Sequence, residues 1–396
     1  MDLLTSLSNS AVNVVLVLVI LVVLVVIHEF GHFVAARLAG VRVHEFGIGL
    51  PPRAVTYHRG RETAYTLNWL PIGGFVRLEG EDGDRADDPR SFSAKSLKVR
   101  TAILLAGVAM NILLAFVIFS FIAGFADPSV DIRVNGLAPA TTSGAVAPAV
   151  AAGLRPAKQI GGTATAPVYD DSGDVITAID GQHFAFFDAG PTGEPNAGIR
   201  YLRAHAGQRV TLSLLHHDGT TQDVTVLLND TTVATSAPLV NGATGQGVLG
   251  IVGYWYQPGP TIARGPLDAI SLGAQRTVMA AATVVTAVAG LLGNLGSPQV
   301  AGPIGIVGIV GQVRTENPPI FLVYLIALLS ANLAVINTLP IPPMDGGRVL
   351  VGVIKRLVGT RLSTRAEAAT YLVGFGLLLA FILWISYFDI TRPGGG

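Results

Sequence analysis

The sequence predicts a polytopic α-helical membrane protein with four transmembrane helices, membrane-associated β-hairpins and one inserted extracytoplasmic β-rich domain. Half of the 396 residues are hydrophobic and only 13% are charged, a balance that leaves room for several spans and a soluble part. Four apolar stretches, 12–38, 101–125, 320–339 and 368–387, reach the roughly 20 residues that a bilayer crossing needs. Between the second and third the chain turns polar and rich in Gly, Ala, Thr and Pro. The hydrophobic composition makes the lipid bilayer a partner, and the balance of 26 basic against 26 acidic residues argues against nucleic acid. With no cysteine, no disulfide reports a compartment, and any metal must be held by His, Asp or Glu.

No Lys or Arg precedes the first apolar run and no small-residue cleavage pattern follows it, so it reads as an anchor and not a signal peptide. It flows into His28-Glu29-Phe30-Gly31-His32. On a helix His28 and His32 point the same way, so two imidazoles can hold one metal while Glu29 stands beside them as a base. The motif recurs by chance in unrelated chains, but leaving three such side chains unpaired in hydrocarbon would cost several kcal/mol, roughly 2–7 for a single polar group.

Orientation follows from the basic residues. Arg42, Arg53, Arg59, Arg61, Arg77, Arg85, Arg90, Lys95, Lys98 and Arg100 lie between the first two spans; Arg348, Lys355, Arg356, Arg361 and Arg365 lie between the last two. Both segments are expected to be cytoplasmic, with both termini and the long polar region outside. Within 41–79, Glu45-Phe46-Gly47-Ile48-Gly49, residues 63–70 and residues 74–78 suggest short hairpin strands between Gly and Pro breaks. A membrane helix must unwind before its peptide bonds are hydrolysed, and pairing with a strand edge offsets part of that cost. Gly73, Gly74 and Phe75 are placed on such an edge as substrate-binding residues; an ordinary cytoplasmic hairpin is the alternative.

The fifth apolar stretch, 266–294, carries a helical stripe from Leu267 through Ile270, Ala274 and Val278 to Leu292, with Asp268, Gln275 and Arg276 off it. A crossing here would throw the basic 348–365 segment outside, so it reads as an interfacial or partly embedded helix with its stripe on the bilayer or the helical core, a plain fifth span being the alternative.

The third span ends in Asn337-Thr338-Leu339-Pro340-Ile341-Pro342-Pro343-Met344-Asp345-Gly346-Gly347. By topology Asp345 lies at the depth of His28 and His32, prolines break the helix there, and glycines let the backbone pass close to a neighbour. Two histidines and one carboxylate leave one of zinc's four positions open, the pattern of catalytic sites.

These segments resemble the site-2 proteases, intramembrane zinc metalloproteases, and especially the bacterial branch that cuts membrane-bound regulators such as anti-sigma factors. The resemblance rests on HEFGH at 28–32, NTLPIPPMDGG at 337–347, Leu70-Pro71-Ile72-Gly73-Gly74-Phe75-Val76, and Gly302-Pro303-Ile304-Gly305. It implies that His28, His32 and Asp345 bind Zn2+, that Glu29 activates water, and that Asn337 helps hold substrate, capping or helix–helix bonding being that residue's other role. It further implies single-span membrane protein substrates, anti-sigma factors or signal-peptide remnants among them, cut after a first extracytoplasmic cleavage. The implied location is the bacterial cytoplasmic membrane, with the active site toward the cytoplasm.

Ala151-Ala152-Gly153-Leu154, the run 173–181, Arg209–Leu214 and Asp223-Val224-Thr225-Val226 resemble one PDZ-like domain, with 159–172 as a polar loop insertion and no clear carboxylate-binding loop. His183, His205, His216 and His217 are expected on its surface. The organisation is thus a first membrane half at 1–126, the PDZ-like domain at 127–260, and a second membrane half at 261–396. A silent adaptor binding clients through the PDZ-like domain is the alternative function, disfavoured by the cost of its buried ionisable groups. A transporter would place polar residues along several spans, and the second and fourth offer almost none.

Overall fold

A computed structural model describes residues 3–81, 87–163, 167–188, 196–241, 243–293, 300–358 and 364–391. Arg85, Asn294 and Arg361, used above for charge and for the end of the fifth stretch, lie outside them. The chain forms two compact units, residues 1–122 with 270–396, and residues 123–269.

In the first unit, α1 (Leu3–Leu38) is apolar on nearly every side. Val15, Val19 and Val23 are exposed, as lipid-facing side chains are, whereas Ile20, Leu24, His28, His32 and Ala36 recur at every fourth position as one buried ridge. The chain then turns at Gly40 into β1 (Val43–Arg59) and β2 (Ala64–Leu78), which pair antiparallel. Two long bent strands therefore replace the three short ones expected. Their folding-over is visible in the register: Phe46 pairs with both Val76 and Tyr65, and Ile48 with both Gly74 and Leu67. Residues 74–78 consequently form one edge of the sheet, and no strand pairs with their other side among the described residues. Glu45 is buried at the sheet's centre because Arg53 (2.7 Å) and Thr66 (2.8 Å) donate to it.

The second helix, α2 (Leu97–Phe125), carries its own ridge of fourfold period, with Ile103, Gly107, Asn111, Ala115 and Phe119 all buried. In the second unit, β3 (Pro128–Leu137), α3 (Pro148–Ala151), β4 (Gln159–Gly162), β5 (Pro167–Tyr169), β6 (Val175–Ile179), α4 (Ala197–Ala204), β7 (Arg209–Leu215), β8 (Thr221–Leu227), α5 (Thr231–Ser236) and β9 (Ile251–Thr261) follow in order. Five of the strands make a sheet ordered β8-β7-β6-β3-β9 over a core that includes Val134, Ile179, Val210, Leu212 and Leu214. The stretch expected to be a polar loop insertion contains the β4–β5 ribbon instead, paired from Gln159–Tyr169 to Gly162–Pro167, with 164–166 outside the described residues. His216 is not a plain surface residue either: its Nδ1 lies 2.7 Å from the buried Asp174 carboxylate, which holds the imidazole pKa above its ordinary value. Arg264 bonds both Asp127 and the Ala123 carbonyl, fastening the unit's entering and leaving strands together.

Back in the first unit come α6 (Pro266–Gly293), α7 (Pro303–Glu316), α8 (Ile320–Thr338), α9 (Asp345–Val358) and α10 (Thr364–Thr391). Five helices, α1, α2, α6, α8 and α10, are long and apolar enough to cross a membrane, one more than the four expected. The additional one is α6, the least hydropathic of the five; its Ala280 packs with Ala115 and Phe119 of α2 and Ala327 and Ala331 of α8. The Gly302–Gly305 motif acquires a role: the amides of Gly302 (3.1 Å) and Gly305 (2.9 Å) at the start of α7 donate to Asp389 of α10. An anion at a helix N-terminus satisfies orphan donors and opposes the helix dipole.

Candidate metal centre

The ridge on α1 brings His28 and His32 together, and the turn after α8 delivers Asp345 to them. Pro340, Pro342 and Pro343 cannot continue α8, so the chain reverses through a tight turn and restarts as α9 with Asp345 as its first residue. Gly346 and Gly347 follow because a Cβ on either would strike the backbone of that turn, at Thr338 and Leu339 or at Ile341 and Pro342.

His28 Nε2 lies 3.1 Å from His32 Nε2 and 2.9 Å from Asp345 Oδ2, and His32 Nε2 lies 3.4 Å from the same oxygen. All three residues are buried. Ligand atoms about 2.0–2.1 Å from a tetrahedral zinc sit roughly 3.3 Å from one another, so this spacing fits one zinc ion. The second nitrogen of His32 reinforces the fit. Its Nδ1 donates to the Ile103 carbonyl at 2.8 Å, which leaves the lone pair on Nε2. The three side chains the sequence pointed to thus converge, and they are the only such group of potential metal ligands among the described residues.

Glu29 and Asn337 line the same cavity of ≈ 350 Å³, together with Val25, Leu333, Met344 and the three ligands. Glu29 is adjacent to the ligands without belonging to the converging set, which suits a base better than a fourth ligand. Of the residues placed on the strand edge, Gly74 approaches most closely: a Cβ on it would come to 3.7 Å from Glu29 Cγ, and one on Gly73 to 3.6 Å from Val25. Phe75 instead turns its ring onto Gly47, and the strand contributes Val76 and Leu78 to the cavity wall.

Several residues here escape sequence reasoning. Gly107 is one: a Cβ on it would lie 2.7 Å from both His28 Nε2 and His32 Nε2, so only glycine leaves room for the two rings against α2. Gly107→Ala is accordingly expected to weaken zinc binding about tenfold or more by pushing the imidazoles apart. Metal titration of the purified variant measures this, and unchanged affinity would mean that the helices can separate without cost. Arg348, one turn into α9, bonds Glu81 at 2.6 Å and ties the ligand-bearing helix to the residues after β2. Asn111, also on α2, approaches His28 at 3.4 Å; a lone Asn four residues after a Gly in an apolar helix was the available signal.

Residues 16–381 match peptidase family M50. The chain is 30% identical over 389 residues to a Clostridium acetobutylicum protein named provisionally as a zinc metalloprotease, covering 97% of this chain and 99% of that one. A similarly named protein of Clostridium perfringens is 31% identical over 93% of this chain and 95% of its own length. Zinc metalloprotease RasP of Geobacillus kaustophilus is 27% identical over 92% of this chain and 94% of its own.

Proposed function

Because the chain belongs to peptidase family M50 and is a zinc metalloprotease of the membrane, we propose that it is an intramembrane endopeptidase that cuts the spanning segment of single-span membrane proteins. The observation that carries this reading is the location of the three converging side chains: two of them stand on the buried ridge of a helix long and apolar enough to span, beside a strand edge that is unpaired among the described residues. A helix in lipid hides its peptide groups in internal hydrogen bonds, so a protease at this depth needs both a base and a backbone to receive the unwound chain.

When bound, zinc supplies a Lewis acid that lowers the pKa of a coordinated water to about 7 and polarises the scissile carbonyl. Glu29 takes the proton of the attacking water and returns it to the leaving amine. The Asn337 amide donates to the substrate backbone or to the developing oxyanion. Residues 74–78 pair with the unwound substrate, Gly74 allowing its backbone to pass close to Glu29. Incubating the enzyme with a model single-span substrate in detergent or liposomes, and locating the cut by mass spectrometry, tests the whole reading. A chelator-sensitive cut inside the apolar segment is expected; cutting confined to residues outside it would refute intramembrane hydrolysis.

The second unit is proposed to be an extracytoplasmic PDZ-like domain that excludes substrates whose outer parts are still bulky, so that membrane regulators or signal-peptide remnants enter only after a first cut. A docking role is the second reading, favoured by a cavity of ≈ 150 Å³ between α4 and the backbone of Gly247–Ile251, lined by Ile199, Leu202 and Leu249. Deleting residues 127–260 separates the two. A filter predicts that the deleted enzyme cleaves full-length substrates that the intact enzyme rejects. Docking predicts slower cleavage even of pre-trimmed substrates, because their local concentration falls. Continued rejection of the long substrate would sink the filter.

A further inference from the structure

The two metal-binding histidines receive unequal support from α2. His32 donates its Nδ1 proton to the Ile103 carbonyl. Two turns further along the same buried ridge lies Asn111, fully enclosed, with its side chain 3.4 Å from His28 Nδ1. Its own backbone carbonyl is held by the Ser330 hydroxyl of α8 at 2.8 Å, so the residue is fixed in place by a third helix. Its side-chain Oδ1 has no hydrogen-bond partner.

An unpartnered amide oxygen in a dry site is costly, about 1–3 kcal/mol from mutational data. An imidazole that gives its Nε2 lone pair to a metal must carry its proton on Nδ1, and that proton needs an acceptor. With the Asn111 amide turned by half a rotation, the unpartnered oxygen becomes that acceptor. The opposite arrangement, Nδ2 donating to Nδ1, would place the imidazole proton on Nε2, between His32 and Asp345, where the metal belongs. We infer that Asn111 is the positioning residue of the metal centre that accepts the His28 Nδ1 proton and so holds His28 in its metal-binding tautomer. The ridge Ile103–Gly107–Asn111 then serves as one platform: an acceptor for His32, a gap for both rings, and an acceptor for His28.

The inference rests on the His28–His32–Asp345 site but not on where substrates are cut, so its test is read in zinc affinity. Asn111→Leu keeps the volume and removes the acceptor; Asn111→Asp keeps the shape and restores a stronger one. Zinc affinity is measured for both and for wild type by competition with a chelator, alongside the thermal stability of the metal-free proteins. Expected are a roughly 10–100-fold loss in Asn111→Leu and wild-type or tighter binding in Asn111→Asp. A purely structural role would lower metal-free stability in Asn111→Leu without changing zinc affinity, and that outcome overturns the inference. So does Asn111→Asp binding as weakly as Asn111→Leu. Should Asn111→Leu fail to fold, Asn111→Asp decides alone: weaker zinc binding than wild type overturns the proposal, and equal or tighter binding supports it. Failure of the metal site itself would show separately, as a wild type that binds no zinc.

Discussion

Glu29→Gln is expected to leave one zinc per chain and to bring cleavage to background. The substitution preserves the size and polarity of the side chain and touches none of the three converging ligand atoms, which belong to His28, His32 and Asp345. What it removes is the ability to accept and return a proton. A positioned general base contributes about 10²–10⁴ in rate, so the loss should be at least of that order. Metal analysis and cleavage of a single-span substrate, done on the same preparation, separate the two effects. Measurable turnover near the wild-type rate in a zinc-loaded Glu29→Gln enzyme would exclude Glu29 as the base, and Glu81, which lines the same cavity, would become the group to test.

Asp345→Ala should act one step earlier, on the metal. The carboxylate is the only anionic one of the three converging side chains, so its removal would leave a bound divalent cation facing two neutral imidazoles in a buried site. Zinc occupancy is expected to fall far below one per chain after dialysis, and activity with it. Excess zinc should restore occupancy more readily than rate, because the restored ion lacks its third anchor. Full occupancy in the dialysed variant would place the third ligand elsewhere. The two variants thus differ in kind: Glu29→Gln gives a loaded and silent enzyme, Asp345→Ala an unloaded one.

The centre was legible because its signals are local. His28 and His32 are four positions apart, and helical period alone puts them on one face. Asp345 came from a cruder inference, that two segments at the cytoplasmic ends of two spans share a depth, and the Pro-Gly chemistry around it described a turn that the structure does contain. What remained hidden is what the chain does at long range. Nothing in a hairpin's alternation shows that Glu45–Ile48 is paired on both sides. No local pattern connects Gly302 to Asp389 or Arg348 to Glu81, since each pair meets only when helices far apart in sequence pack. The count of helices long and apolar enough to span exceeded the four expected for a related reason. For α6, length and composition admit a span, and the charge bias argued against one. Asn111 was passed over because one amide in an apolar helix reads as tolerated polarity; its meaning depends on an imidazole that arrives from α1.

The ligands are also divided in time. His28 and Asp345 are separated by 317 positions, so a ribosome that has threaded α1 into the bilayer still has most of the protein to make before the carboxylate emerges. Throughout that interval the nascent chain carries only two of the three side chains that converge in the folded protein. The cluster becomes complete when the chain has been made through α8 to Asp345, the first residue of α9. The three side chains can therefore come together only after the chain through the first residue of α9 has been made, with only the rest of α9 and α10 still to follow.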